Sequence, residues 1–247
     1  MAGNKARYGK ARSLATRALG VQEASSLAPM RDGSFLVVDD EHGIFRCPPD
    51  GSAVQLDAGQ GLADLEGVAI TPDGKHAYVL SERDGSVWRF GVDGDDLQGG
   101  ERLGNLPRLA KALNHGWEGI AFAAAGAFGE HLQLLAAHQV KPRRIGVFDA
   151  ETLEQRLMVR LPKNARKAIG DLNDITVDAD GRILLLSGKR GCIAKMRLVD
   201  DVLSLVRVYR VETAKDDVPE GISIDTEGRV WICTDGKGML HQLELEP

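Results

Sequence analysis

One short pattern recurs along this chain and limits the folds it can adopt. An acidic or amide residue is followed by a small or short residue and an apolar run, as in WEGIAF, LEGVAI, LNDITV and PEGISI, beginning at Trp117, Leu65, Leu172 and Pro219. The clearest copies continue into an Asp-Gly or Glu-Gly turn, a second apolar run, a polar corner and a third run. Asp-Gly between apolar runs is a strong hairpin signal. The sequence therefore predicts a series of similar antiparallel units.

The spacing of the repeated position indicates the architecture. A fifth copy opens the chain, and the position is occupied in turn by Ser25, Glu66, Glu118, Asn173 and Glu220, at steps of 41, 52, 55 and 47 residues. A period in the forties with strand-turn-strand content is typical of a β-propeller rather than a helical solenoid. We predict an all-β propeller of five blades. The alternative is six, with an irregular blade between about Ala127 and Gly170.

Each unit predicts four strands, and the last unit is incomplete. In the second unit the inner strand A is predicted over 68–71, strand B over 77–80 and strand C over 87–90, followed by a more polar strand D. The fifth unit ends at HQLELEP, before any strand D. The N-terminal stretch ARSLATRAL, residues 11–19, is the unassigned segment that could replace it. We therefore predict one domain over 1–247, with 11–19 as the closing outer strand of the last blade.

Composition excludes several classes of protein. A chain of 247 residues with 43% hydrophobic and 27% charged content can bury a sizeable core. Three unclustered cysteines argue against a disulfide framework and a cysteine zinc site. The net charge of -5 gives no reason to expect a nucleic-acid partner. The sequence shows no heptad pattern or long exposed apolar stripe that would indicate an oligomer, and the expectation is a monomer.

The apolar runs are also too short for a membrane segment. The most apolar one, GIAFAAAGAFG, is well below the roughly 18 residues that a membrane span needs. No apolar signal-peptide core follows the basic start of the chain. The expectation is a soluble chain, cytoplasmic as given, and exported or periplasmic if a leader has been removed.

Propeller geometry predicts where the repeated residues meet. Because every strand A begins on one face of the disc, Glu66, Glu118, Asn173 and Glu220 should converge around one mouth of the central channel. Carboxylates in a small volume repel one another and need protons or a cation. An all-oxygen ligand set suits calcium, which accepts 6 to 8 oxygens in irregular geometry. These four residues are the predicted metal ligands. In the alternative, each only hydrogen-bonds backbone amides at a blade junction.

The corners between strands B and C should return to the same mouth. They supply candidate ligand-binding residues, and the channel carboxylates Glu118 and Glu220 are candidate general bases. The predicted ligand-binding residues are Ser25, Glu82, His138, Arg143, Lys189 and Asp235. Further basic corner residues are Arg83, Lys141, Arg144, Arg190 and Lys237, and His115 is a second histidine within reach of the mouth.

Taken in order, these stretches resemble the SdiA-regulated family of bacterial β-propellers. The resemblance is carried by DLEGVAI with VLSERDGSVWRF, NHGWEGIAF with KPRRIGVFD, DLNDITVDADGRILLLS and PEGISIDTEGRVWICTDG, between about Ala24 and Leu243. The chain is more distantly similar to phytase-like esterase and gluconolactonase-type propellers. The resemblance implies calcium in or near the channel, with Glu66, Glu118, Asn173 and Glu220 as ligands. Two features depart from the family: Gln139 replaces an acidic residue, and no leader is visible.

Three functions remain open at this stage. The first is a non-enzymatic propeller that binds calcium and a small ligand or a protein partner at the channel mouth. The second is a calcium-dependent hydrolase of lactone, ester or phosphoester bonds. The third is a protein-interaction scaffold without a metal.

Overall fold

The computed structural model describes residues 6–57, 62–109, 116–123, 128–139 and 142–246, and the chain there is almost entirely β-strand. The elements are β1 Tyr8–Ala18, β2 Ala24–Pro29, β3 Phe35–Asp39, β4 Gly43–Cys47, β5 Val54–Leu56, β6 Leu65–Ile70, β7 His76–Ser81, β8 Ser86–Asp93, β9 Asp96–Asn105, β10 Trp117–Ala123, β11 Gln133–His138, β12 Arg144–Asp149, β13 Gln155–Arg160, α1 Lys163–Ala168, β14 Asp174–Val177, β15 Ile183–Ser187, β16 Cys192–Val199, β17 Val202–Val211, β18 Val218–Ile224, β19 Val230–Asp235 and β20 Met239–Leu245. None of the helical residues described forms a segment that could cross a bilayer.

The strands form three four-stranded antiparallel sheets and one eight-stranded sheet. The four-stranded sheets run β2-β3-β4-β5, β6-β7-β8-β9 and β10-β11-β12-β13. The eight-stranded sheet runs β14-β15-β16-β17-β1-β20-β19-β18. The prediction of an all-β, propeller-like fold is confirmed, but the hydrogen bonding does not divide the chain into five separate blades.

The N-terminal strand β1 accounts for this difference. Its residues 11–18 pair antiparallel with β20. The strand is longer than the predicted segment and begins at Tyr8, and residues 8–11 pair in parallel with 208–211 of β17. Strand β1 therefore joins a group of four strands, β14 to β17, to a group of three, β18 to β20.

The innermost strands form a closed cycle. Strand β2 contacts β6, β6 contacts β10, β10 contacts β14, β14 contacts β18, and β18 returns to β2. Between about Ala127 and Gly170, where a sixth blade was the alternative, the described residues form α1 and the outer three strands of one sheet, β11, β12 and β13.

The hydrophobic core lies between neighbouring sheets and explains the apolar B strands. Leu134 packs in the cluster shared with the sheet of β6, whereas Leu135 packs in the cluster shared with β14 and β15. Leu184 and Leu185 divide in the same way between the two sides of their sheet. Because successive strand residues point to opposite faces, a strand covered on both faces must be apolar at every position.

Corresponding residues of the five inner strands form five rows along the channel, starting at the mouth. Row one is Ser25, Glu66, Glu118, Asn173 and Glu220, and row two is Ser26, Gly67, Gly119, Asp174 and Gly221. Row three is Leu27, Val68, Ile120, Ile175 and Ile222, row four is Ala28, Ala69, Ala121, Thr176 and Ser223, and row five is Pro29, Ile70, Phe122, Val177 and Ile224.

Candidate functional site

The row-one residues lie at irregularities in the inner strands. The pairing of strands A and B shifts by one residue at Ser25, Glu66, Glu118 and Glu220. Asn173 is equivalent, because its amide donates to the Leu186 carbonyl at 3.0 Å while the next residue also lies opposite Leu186. A β-bulge inserts an extra residue and redirects its side chain. The repeated acid or amide is therefore the bulge residue of each inner strand.

Three carboxylates come together at the mouth between β6 and β7. One oxygen from each of Asp64, Glu66 and Glu82 lies within 4.8 Å of the others. Asp64 precedes β6 in the left-handed backbone region, at φ 59°. Its amide donates to the Asp40 carbonyl at 3.2 Å, and its own carbonyl accepts from the Glu82 amide at 2.9 Å. The local backbone thus holds two of the acids beside the bulge that carries the third.

Burial, together with the proximity of the other acids, raises the pKa values of Glu66 and Asp64. Burial, followed by the charges of Glu82, Asp40, Asp64 and Glu220, raises the pKa of Glu66 to about 9. Burial and the Glu82 charge raise the pKa of Asp64, and burial with the charges of neighbouring acids raises that of Asp40. The metal-free site therefore holds protons at neutral pH that a bound cation would displace.

Glu118 lies behind this group. Glu118 is only 5% exposed, and burial raises the pKa of its carboxyl group well above the usual value. The charge of Glu66 and a hydrogen bond with Glu82 raise this pKa further. Glu82 also accepts the Gly116 amide at 2.7 Å through Oε1. Glu118 thus touches the three-acid group through Glu82 without being one of its three members.

Asn173 and Glu220 form the second half of the mouth. Asn173 Nδ2 donates to Glu220 Oε2, and Asn173 Oδ1 accepts the Gly188 amide at 2.7 Å. Burial raises the pKa of Glu220 to about 8, and the Asn173 hydrogen bond opposes that increase. The charge of Glu220 contributes to the raised pKa values of Glu66 and Glu118, so the two halves interact electrostatically.

The other predicted ligand-binding residues take different positions around the mouth. Ser25 is half-buried at its bulge, and Asp235 ends β19 opposite Val218, where its charge helps to raise the pKa of Glu220. His138 is buried at the end of β11 with its ring edge-to-face on Trp117, at a centroid distance of 5.2 Å. Ser25 and Asp235 thus border the acids, whereas His138 packs in the blade.

The basic candidates divide between structural and solvent-facing positions. Arg143 Nη1 donates to the carbonyls of Ile169 at 2.6 Å, Gly170 at 2.9 Å and Arg166 at 3.2 Å, at the C-terminal end of α1. Lys189 is exposed at the corner after β15, beside Gly170. His115 and Lys141 lie outside the described residues.

Directly below row one, the channel is filled by row two. Asp174, 1% exposed, accepts hydrogen bonds from the amide of Ile222 at 2.8 Å and from Ser26 Oγ at 3.0 Å, on two other inner strands. Ser26 Oγ accepts the Val68 amide of a third strand at 3.3 Å. A Cβ at Gly119 would lie 2.2 Å from Asp174 Oδ1. The Asp174 carboxyl group on β14 therefore bonds directly to β18 and β2, reaches β6 through Ser26, and lies against Gly119 of β10.

The sequence-based prediction missed Asp64, Asp40 and Asp174. A signal for Asp64 was present, because an aspartate two residues before the repeated position occurs in both DLEG and DLND, as Asp64 and Asp171. Asp171 Oδ1 accepts from Ser187 Oγ at 2.5 Å. Asp174 occupies a position at which the other units have glycine or serine, so it did not stand out as part of a repeated pattern.

The arrangement can hold a hard cation. Its donors are carboxylate and amide oxygens, which match calcium or magnesium, whereas zinc prefers histidine nitrogen and cysteine sulfur. The buried carboxyl groups can also hold or accept a proton near neutral pH.

Comparison with known proteins gives a family match and several similar folds. A family described as SdiA-regulated matches residues 14–236, and no curated protein matches the chain in sequence. Glutaminyl cyclase from Myxococcus xanthus aligns with a TM-score of 0.70 and 13% identity, over 98% of this chain and 99% of that chain.

Two further solved structures have a similar fold. The PQQ-bound aldose sugar dehydrogenase from Streptomyces coelicolor aligns with a TM-score of 0.60 and 15% identity, over 96% of this chain and 98% of that one. Virginiamycin B lyase from Staphylococcus aureus aligns with a TM-score of 0.52 and 15% identity, over 90% of this chain and 66% of that one. At these identities the similarity concerns the fold alone.

Proposed function

This chain belongs to the SdiA-regulated family, and from that premise we propose that the acidic channel mouth binds a calcium ion together with a small ligand. The single observation that carries the proposal is the approach of Asp64, Glu66 and Glu82, whose oxygens lie within 4.8 Å of one another. Ionised carboxylates at that separation repel one another, and a divalent cation removes the repulsion.

Calcium suits the donors better than the other common cations. The three carboxylates, with Glu118, Asn173 and Glu220 nearby, supply oxygen donors from different strands. Calcium accepts many oxygens in irregular geometry, whereas magnesium needs a compact octahedron and usually keeps several waters. We propose Glu66, Glu118, Asn173 and Glu220 as the row-one contribution, with Asp64 and Glu82 added from the adjacent turn and corner.

The ligand would lie beside the cation, against the corners. We propose Ser25, Glu82, Asp235 and Lys189 as the residues beside this volume, because an exposed lysine suits an anionic group on the ligand. We propose His138 and Arg143 as supports behind the contact surface, since His138 packs on Trp117 and Arg143 holds α1. The closed cycle of five inner strands supports a five-bladed ring, with β1 as the closing strand of the last blade.

A calcium-dependent hydrolase of lactone, ester or phosphoester bonds is the second candidate. It is favoured by Glu118, a buried carboxyl with a raised pKa that adjoins the three-acid group without belonging to it. In this second function Glu118 is the general acid or base and is not a ligand of the ion. Such a group can act as a general acid or base near neutral pH. The fold also supports enzymes, since glutaminyl cyclase and aldose sugar dehydrogenase are similar in structure.

The test is a calorimetric titration of the metal-stripped protein with calcium. We expect saturable binding by the parent and at least about tenfold weaker binding by a Glu66→Gln, Glu220→Gln double variant. Glu244→Gln, an exposed change on β20, is the matched control and should bind as the parent does. If calcium addition releases or absorbs no binding heat and a chelator leaves the melting temperature unchanged, the proposal is contradicted. That result would favour a metal-free interaction scaffold.

The hydrolase hypothesis needs a separate measurement. We expect the calcium-loaded parent to hydrolyse members of a panel of lactones and phosphoesters. Glu118→Gln should lose this activity while it still binds calcium. Calcium binding without turnover of any panel member would favour the non-enzymatic function.

A further inference from the structure

The end of the channel opposite the acidic mouth contains a cavity of about 520 Å³. The inner strands line it with rows three to five, which are apolar apart from two hydroxyl groups in row four. The row-three side chains are at most 2% exposed, whereas all five row-five residues are only half-buried. The row-five residues are Pro29, Ile70, Phe122, Val177 and Ile224. The cavity therefore offers an apolar wall of five converging strand ends.

Two polar side chains interrupt this wall at one place. Thr176 and Ser223 lie side by side in row four on the contacting strands β14 and β18, and both line the cavity. The equivalent residues of the other three units are alanines. Within the described part of the chain, neither side-chain hydroxyl has a hydrogen-bond partner, although the residues are only 7% and 9% exposed. These hydroxyls can therefore bond a polar atom of a ligand.

The acids around the cavity are already paired with arginines. Asp32 and Asp95 both pair with Arg46, at 2.5 and 2.7 Å, and Asp225 pairs with Arg229 at 2.6 Å. Arg31, also in the lining, donates to the Asp73 carbonyl. Paired charges do not attract a charged ligand strongly, so this opening differs from the acidic mouth, where carboxylates outnumber cations.

We infer that this cavity binds a neutral, largely apolar small molecule that carries a carbonyl or hydroxyl group. The volume is within the usual range of about 300 to 1,000 Å³ for small-molecule sites, which combine apolar walls with a few placed polar groups. The apolar body would lie against rows three and five, and its polar atom would bond Thr176 or Ser223. Row two separates this site from the mouth, so binding does not require calcium.

The test uses Nile red, a neutral dye with a carbonyl group whose fluorescence rises in apolar surroundings. We expect saturable binding to the parent. Ile224→Trp places a large side chain at the cavity opening and should weaken binding at least about tenfold. The matched control is Val202→Trp, at an exposed valine of β17 far from the cavity, and it should leave binding unchanged. Equal affinity of both variants, or no saturable binding by the parent, would overturn the inference.

Further measurements separate loss of the site from loss of the fold. Val177→Trp is a second obstruction on another strand, and circular dichroism melting checks that each variant is folded. A Thr176→Val, Ser223→Ala variant keeps an apolar cavity but removes both hydroxyls, and should weaken Nile red about fivefold, the loss expected for one hydrogen bond. Unchanged Nile red affinity in this variant would contradict the role of the hydroxyls. Calcium titration of the same proteins tests the other mouth independently.

Discussion

The two ends of the channel are built from the same five strands but have opposite chemistry. At one end, row one has three glutamates, an asparagine and a serine. At the other, row five has a proline, an isoleucine, a phenylalanine, a valine and a second isoleucine. The acids lie on β-bulges, whereas row five continues the regular strand. A bulge can thus redirect one side chain per strand toward a ligand while the remaining strand packs normally.

Row two makes this separation possible. Its small residues allow the inner strands to approach closely, and Asp174 joins them across the channel. Two sites of different character can therefore exist a few residues apart along each strand.

Among the substitutions, removal of the Asp174 carboxyl should have the largest effect on stability. Asp174→Ala leaves the Ile222 and Ile175 amides without their acceptor and opens a gap between strands. Each unsatisfied buried donor costs about 1–3 kcal/mol, so the free energy of unfolding should fall by about 3 kcal/mol or more. Chemical denaturation measures this loss. Asp180→Ala, in an exposed turn, is the control, and an equal loss there would contradict the role of Asp174.

A methyl group at Gly119 should disturb the same layer from another strand. The added Cβ would lie 2.2 Å from Asp174 Oδ1 and 2.6 Å from Asp174 Cα, so Gly119→Ala should destabilise the protein by about 1–3 kcal/mol. Gly91→Ala is the matched control, because its new Cβ would approach Gln98 Cβ only to an ordinary 3.5 Å. Thermal melting compares the two variants, and Gly119→Ala should have the lower melting temperature. Equal melting temperatures would show that row two accommodates an added methyl group.

The acidic mouth should make the stability of the metal-free protein depend on pH. The pKa of Glu66 is about 9 and that of Glu220 about 8, against 4.5 for an ordinary glutamate. Between pH 4.5 and 8 the folded state keeps protons that the unfolded state has released, so stability falls as pH rises. Each protonated carboxyl contributes up to about 1.4 kcal/mol per pH unit.

Melting curves across this range measure the effect. Saturating calcium should flatten the dependence, because the bound carboxylates are then ionised in the folded state as well. Stability that rises with pH in the metal-free protein would contradict the assigned pKa shifts.

Removal of the Arg143 side chain should have the smallest effect. Arg143→Ala loses the hydrogen bonds to the end of α1 and should lower stability by about 1 kcal/mol, while calcium affinity stays within about twofold of the parent. Lys189→Ala should leave stability unchanged and weaken only an anionic ligand. If Arg143→Ala loses more calcium affinity than Glu66→Gln, the assignment of Arg143 as a support of α1 and of Glu66 as a calcium ligand is contradicted.

The repeat made much of the fold and of row one predictable. Copies of one pattern keep a bulge residue at one position, so Glu66, Glu118, Asn173 and Glu220 can be recognised from the sequence. Asp174 was not, because it is the single acid at a position otherwise occupied by glycine or serine. The parallel pairing of β1 with β17 was also not predictable, since three of the four paired residues, 8–10, precede the predicted closing strand 11–19.

The cavity at the opposite end was hidden for a different reason. Ile, Val and Phe at row five have the same sequence pattern as residues buried between neighbouring sheets, and only the three-dimensional structure distinguishes the two environments. Thr176 and Ser223 are similarly ordinary as strand residues. Their significance comes from their adjacent positions on β14 and β18.

The most direct test of the acidic mouth is proton release on calcium binding. Calorimetric titrations at pH 7.5 in two buffers with different ionisation enthalpies measure the number of protons exchanged. Because Glu66 and Glu220 are largely protonated at this pH in the metal-free protein, calcium should displace about one to two protons. Binding heats that are the same in both buffers, or no binding at all, would contradict a calcium site made by these buried carboxylates.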